Sequence, residues 1–279
     1  MGRYSRLRHI ASLDPVRDHH EIFCLVTQYE FPWDYTQGTS VAFLRDFAVP
    51  GISALLDRTG EFAHRGQKRY DDTILLGYEA TADSLDSPRG RAAMRHLNRI
   101  HGRHDIPEHE HHYVLATTLV GPKRWIDRYG WRPLHPHEVE AMVRTTTRFG
   151  ELMGLRDLPV DYDGYEALLE DYEAEHFAFA ESNRRVAEAT LRVFTGWYPA
   201  PLRPPLRRCA IALLDDPLRT ALGLPPQPRW LGAVLHRALR VRAVVLRLLP
   251  PRPDSRPYLH DASRTYPFGY SLEDLGPPG

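Results

Sequence analysis

Cysteine is nearly absent from these 279 residues: Cys24 and Cys209 stand far apart, with no CxxC and no CxxCH. Neither a thiolate metal site nor a covalently attached haem is encoded, and such sparing use of cysteine points to a reducing compartment. Lysine is as scarce, only Lys68 and Lys123, and the arginine excess runs through the whole chain. A surplus of either charge is missing too, because Lys plus Arg and Asp plus Glu both number 36. That balance argues against a surface built to follow a phosphate backbone, so no nucleic-acid partner is expected. A long hydrophobic run is also lacking. The best stretch, 230–249 (WLGAVLHRALRVRAVVLRLL), is interrupted by four arginines, whereas a spanning helix needs about 20 mostly apolar residues. The opening MGRYSRLRHIASLDP meets Pro15 before any apolar segment of secretory length, so no signal peptide is expected. Together these absences predict a cytoplasmic protein.

What remains is enough for a real core, since 42% of residues are apolar. Helical periodicity dominates and strand alternation is scarce, which predicts an all-α fold. Helices are expected over 15–28, 51–56, 61–82, 88–104, 107–120, 122–129, 135–153, 165–179, 183–194, 204–222 and 230–249, several opening with Pro in the first turn and some stopping at Gly130 or Gly154. Proline thickens after residue 199. The expected organisation is one helical domain, with a core at about 15–195 and a Pro-rich helical wrap over 196–279.

Six of the 15 histidines fall in the segment 96–112, HLNRIHGRHDIPEHEHH. Met94, Leu97, His101 and His104 share one face of a helix, so the two imidazoles are expected to point inward. Asp105-Ile-Pro-Glu108 has the form of a capping box that opens the next helix, where His109, His111 and His112 are expected to be largely solvated. Two metal chemistries compete. Glu108/His111 and Glu173/His176 are ExxH pairs of the kind a di-iron carboxylate bundle uses, with Glu79 and Glu140 as further carboxylates. A third such pair, Glu61/His64, has no place in that bundle, and chance can supply an ExxH pair in a chain this rich in Glu and His, so the signal is weak. Alternatively, one inward histidine ligates haem iron, and His101 fits best.

A wider series adds to this. Arg69-Tyr-Asp-Asp-Thr73, the stretch from Ala93 through His101 to Gly102, Tyr113 onward, Trp125 to Leu134 with Glu138, Gly150 to Leu155, and Leu158-Pro resemble, in that order, the family of the rubber oxygenases (latex-clearing proteins) and the fungal mycophenolate-pathway oxygenases. The resemblance runs from about Tyr29 to about residue 185, and Thr265-Tyr-Pro-Phe-Gly-Tyr resembles the end of bacterial members. It implies a globin-like helical core with non-covalent haem b, His101 as axial ligand, and Arg69 and Thr73 facing the haem pocket. The pair makes physical sense. Residues i and i+4 share a helix face, a buried guanidinium can stabilise an oxyanion, and a hydroxyl can donate to bound dioxygen. Without the resemblance, Arg69 reads equally well as an ion-pair partner of Asp71 or Asp72. Asp72 is a departure, because rubber oxygenases can carry Lys just before that Thr, so their polymer substrate is not carried over. His104 reads as a helix-end residue, and Thr117 and Thr118 either line the pocket or bond their own backbone.

The expected protein is thus a haem-dependent oxidoreductase using dioxygen on a hydrophobic small molecule, by C=C cleavage, hydroxylation or desaturation. The alternatives are a di-iron carboxylate oxidase and a non-catalytic haem-binding protein. The helix over 230–249 is expected to pack on the core with a solvated arginine edge, giving at most weak binding to membrane surfaces.

Overall fold

The computed structural model describes residues 2–260 and 263–277, and among them no strand occurs. Thirteen α-helices follow in order: α1 (Ser5–Ser12), α2 (His19–Cys24), α3 (Pro32–Asp46), α4 (Pro50–Thr59), α5 (Glu61–Thr81), α6 (Pro88–His101), α7 (Glu108–Tyr129), α8 (Pro136–Met153), α9 (Tyr162–His176), α10 (Glu181–Gly196), α11 (Arg203–Ala212), α12 (Asp216–Ala221) and α13 (Arg229–Leu248). The all-α expectation holds. Proline opens α3, α4, α6 and α8 within the first turn, where a missing N–H costs no hydrogen bond. Gly154 ends α8 in the left-handed region at φ 88°, a conformation that favours glycine.

The centre of the molecule is α7, which carries Tyr113, Ala116, Leu119 and Ile126 into the main core between α2, α8 and α9. Two helices had been expected here, broken at Pro122, but α7 runs through it. The reason is α3, which crosses α7 so closely that a β-carbon on Gly38 would stand 2.4 Å from the Pro122 Cα. Helix α7 thus continues through a proline that normally breaks one, with the α3 backbone packed against it. Gly38→Ala should therefore destabilise the fold by about 1–3 kcal/mol, read from the shift in a urea unfolding midpoint, because backbone rather than a flexible side chain blocks the added methyl.

Helix α3 itself was not expected. Its sequence, PWDYTQGTSVAFLRD, is rich in weak helix formers, yet Thr36, Thr39 and Ser40 each donate to a carbonyl four residues back at 2.8–3.0 Å. Internal satisfaction of those hydroxyls lets a polar-looking segment lie against α7. The expected helix over 204–222 is two, α11 and α12, split where Asp215 caps the second by accepting from Leu218 N at 2.9 Å. Ile211, Leu214, Leu218 and Leu222 from this region bury against Val186 and Leu191 of α10 in a second core cluster.

One buried charge network ties the N-terminal turn to α8. Arg132 donates to both oxygens of Glu138 at 2.6 and 2.7 Å and to Glu30 at 3.1 Å, while Arg6 reaches Glu30 at 2.9 Å. Glu138 also accepts from the His135 backbone N at 2.7 Å, closing a capping box at the start of α8.

Candidate functional site

Helices α3, α5, α6, α7 and α8 enclose a cavity of about 730 Å³, walled largely by apolar and aromatic side chains. That volume lies within the range of small-molecule sites. His101 is the last residue of α6, on the same face as buried Met94 and half-buried Leu97, and it lines this cavity as its periodicity predicts. Its Nδ1 is buried without a hydrogen-bond partner. Burial, then the neighbouring His111, Arg69 and His104, push its pKa down to about 4. The ring is neutral at ordinary pH and keeps a lone pair free for a ligand bond.

Arg69 and Thr73 line the same cavity from α5. The Arg69 guanidinium donates to Thr73 Oγ1, which in turn donates to the Arg69 carbonyl at 2.9 Å. The ion pair weighed for Arg69 does not form: Lys68 takes Asp72 at 2.8 Å, and Asp71 accepts from Gln67, Ser263 and Thr265. Burial lowers the Arg69 pKa, with Asp72 and Glu61 opposing from a distance. A half-buried cation whose side-chain contacts are a hydroxyl and the face of Phe62, 5.5 Å away, favours an anion or a developing negative charge beside it.

The opening of α7 differs from expectation. Asp105 caps nothing; Pro107 is the N-cap residue, and Glu108 instead accepts from Arg156 N at 3.4 Å. His109 is exposed and stacks on His176, but His111 is half-buried and lines the cavity, its ring 5.3 Å from that of His101. The largely solvated placement fails for His111, because the end of α6 packs beside the first turn of α7, and also for His112, which is half-buried. Glu110, overlooked in the sequence, is buried, lines the cavity and has no hydrogen-bond partner for its carboxyl among the described residues. Burial raises its pKa, opposed by His109 and His176. The signal was present as the face Glu110, His111, Val114, Leu115, Thr118. Thr118 reaches the cavity while bonding the Leu115 carbonyl at 2.7 Å; Thr117 turns away to Asp46 at 2.9 Å. His104 is exposed at the rim, just past the end of α6.

The di-iron arrangement does not assemble. Glu173 binds Arg45 and accepts from Tyr113, Glu79 pairs with Arg89 at 2.7 Å, Glu140 pairs with Arg144 at 2.7 Å, and Glu108 is exposed. Among the described residues no three His, Cys, Asp or Glu side chains converge as a metal-binding group.

The C-terminal tail closes one side of the cavity with Tyr258, His260, Gly276 and Pro277. Lys68 donates to the Gly276 and Asp274 carbonyls at 2.8 and 3.0 Å, Tyr266 donates to Asp72 at 2.8 Å, and His96 Nε2 donates to the Leu275 carbonyl at 2.7 Å. Within Arg69-Tyr-Asp-Asp-Thr73, the carboxylates thus hold the tail and the outer two residues face the cavity.

An all-helical shell around a largely apolar chamber, with an unpartnered imidazole and an unpaired guanidinium in its wall, defines a helical protein that encloses a small-molecule site. Residues 35–248 match the family described as the catalytic domain of the ER-bound oxygenases mpaB/B' and the rubber oxygenases. The chain belongs to this oxygenase family. It is 30% identical over 248 residues to ER-bound oxygenase mpaB' of Penicillium brevicompactum, covering 82% of this chain and 58% of that protein. The same species' ER-bound oxygenase mpaB is 27% identical, covering 82% and 57%, and that of Penicillium roqueforti is 26% identical over 213 residues, covering 70% and 72%. The chain therefore spans a little over half the length of the first two relatives. Their names correct the expected cytoplasmic location, since they describe proteins bound to the endoplasmic reticulum. That expectation leaned on the lack of a spanning segment. Among the described residues no single helix is long and apolar enough to cross a membrane, but this says nothing about attachment to a membrane surface.

Proposed function

We propose that this chain is a haem b-dependent oxygenase of hydrophobic small molecules, in which His101 would hold the haem iron and dioxygen would be the co-substrate. The observation that carries the reading is the neutral, unpartnered imidazole of His101 in the wall of a 730 Å³ apolar cavity. The residues present fit the group: an imidazole for iron, apolar and aromatic walls for a porphyrin, and an unpaired Arg69 for a propionate or an oxyanion. When bound, haem would supply the activation of dioxygen that no side chain here can perform.

The chain's own residues do the rest. Arg69 presents a cation that needs no reorganisation as charge develops, because Thr73, its own O–H given to the Arg69 carbonyl, accepts from the guanidinium and fixes its place. Glu110, whose carboxyl burial favours in its neutral form, can give or take a proton at its Oε atoms inside the chamber. The apolar walls exclude water and select a substrate that prefers them to solvent; C=C cleavage, hydroxylation and desaturation all suit such a chamber. Dioxygen uptake across a panel of apolar alkenes tests this. Arg69→Ala and Thr73→Ala should each lower it by about 100- to 1,000-fold while the haem absorption stays. Unchanged uptake in both variants would remove the pair from the reaction, and a haem-loaded protein with no uptake at all would be a carrier rather than an enzyme.

A further inference from the structure

Helix α13 has apolar residues on two sides, and only one of them is covered. Leu231, Leu235, Leu239 and Leu246 face the protein, and Arg242 turns inward to pair with Asp34 at 2.8 Å and stack over Trp33 at 3.8 Å. His236 anchors the same side through Tyr129 at 2.6 Å. The opposite side carries Trp230, Val234, Val241, Val244, Val245 and Leu248, exposed by between 49% and 82%, with Ala233 and Ala238 between them. At 100° per residue these positions form one continuous stripe along the helix, and Arg237 is the single charged residue within it. Arg229, Arg240 and Arg247 line up along one edge. The helix holds five arginines and no acidic residue. Arg229, Arg237 and Arg240 make no ion pair with any carboxylate among the described residues.

An outward apolar stripe normally belongs to an interface, and a row of unpaired cations beside it specifies the partner's charge. A second copy of this chain would bring arginines against arginines. A lipid bilayer with anionic headgroups meets both features at once: the stripe enters the acyl boundary while the arginines reach phosphates, Arg237 extending up from the stripe on its long stem. We propose that α13 is an in-plane membrane anchor that seats the chain on anionic bilayers. This differs from the weak binding that the sequence suggested, which put the apolar face inward. The inner end of α13 clasps Trp33 and Asp34 on the first turn of α3, and Pro32 and Tyr35 of that turn line the cavity, so docking would bring the chamber close to a lipid phase. The proposal stands whether or not the chain holds haem.

The test is co-sedimentation of the full chain with vesicles of phosphatidylcholine alone and of phosphatidylcholine with phosphatidylserine. Binding is expected to the anionic vesicles, weaker on the neutral ones, and reduced by salt. Val241→Asp with Val245→Asp should lower partitioning by at least about tenfold, and Arg237→Gln with Arg240→Gln should weaken it on anionic vesicles only. Both pairs lie on the solvent side, so helicity and unfolding midpoint should match the parent; a variant that unfolds is replaced by Val234→Ser with Val244→Ser, read the same way. Equal binding by parent and Asp variant, or none by the parent, overturns the proposal. So does a dimer in size-exclusion chromatography that the Asp pair dissolves, which would make a second copy the occupant.

Discussion

His101→Ala is expected to give a folded protein that no longer retains haem b. Its imidazole is half-buried at the cavity wall with its Nδ1 unpartnered, and Cys24, which also lines the cavity, is kept a neutral thiol by burial that pushes its pKa up to about 11, so no thiolate stands ready to hold the cofactor instead. The cavity itself would survive, because His101 ends α6 and makes no hydrogen bond through its ring that the fold depends on. Absorption near the Soret region, measured after reconstitution and desalting, reads the result against the far-ultraviolet signal of the helices. His111→Ala is the control. Its ring lies 5.3 Å from His101, so retention by the His111 variant together with loss by the His101 variant separates a ligand from a neighbour. The reverse pattern would reassign the iron to α7.

The second large effect concerns stability. Glu138→Ala should cost about 3–5 kcal/mol, since it strips a buried guanidinium of its bidentate partner and leaves Arg132 with Glu30 alone. It also removes the acceptor for His135 N at the start of α8. Two residues along, Glu140→Ala breaks a partly exposed i, i+4 pair with Arg144 and should cost about 0–1 kcal/mol. Urea unfolding of the two variants side by side checks the contrast. Equal midpoints would mean that the network's desolvation had cancelled its attraction.

That network explains why part of the ordered series WIDRYGWRPL with Glu138 carries no chemistry. Arg132 and Glu138 hold helices together, and Trp131 donates to the Glu30 carbonyl at 3.3 Å. Periodicity made His101 and its inward face readable because Met94, Leu97 and His101 repeat at helical spacing on an otherwise polar helix. The pair Arg69 and Thr73 was legible only through the family resemblance, its i, i+4 spacing being consistent with one shared helix face. Glu110 and His111 were hidden among six histidines, where composition suggested solvent and only the packing of α6 on α7 turns one face inward. Helix α3 was hidden because its hydroxyls satisfy the backbone locally, which looks like a loop until α7 is laid against it. The division of labour inside Arg69-Tyr-Asp-Asp-Thr73 depends on contacts nearly two hundred residues away, between Asp71 and Thr265, and no local pattern encodes them.

The central claim is that the chamber holds haem on His101. Its most direct test is the absorption spectrum of the purified, haem-reconstituted chain, taken with its iron content. A Soret band and about one haem iron per chain are expected if a single non-covalent haem is held by the His101 imidazole. A chain that takes up no haem and shows no Soret band would contradict it.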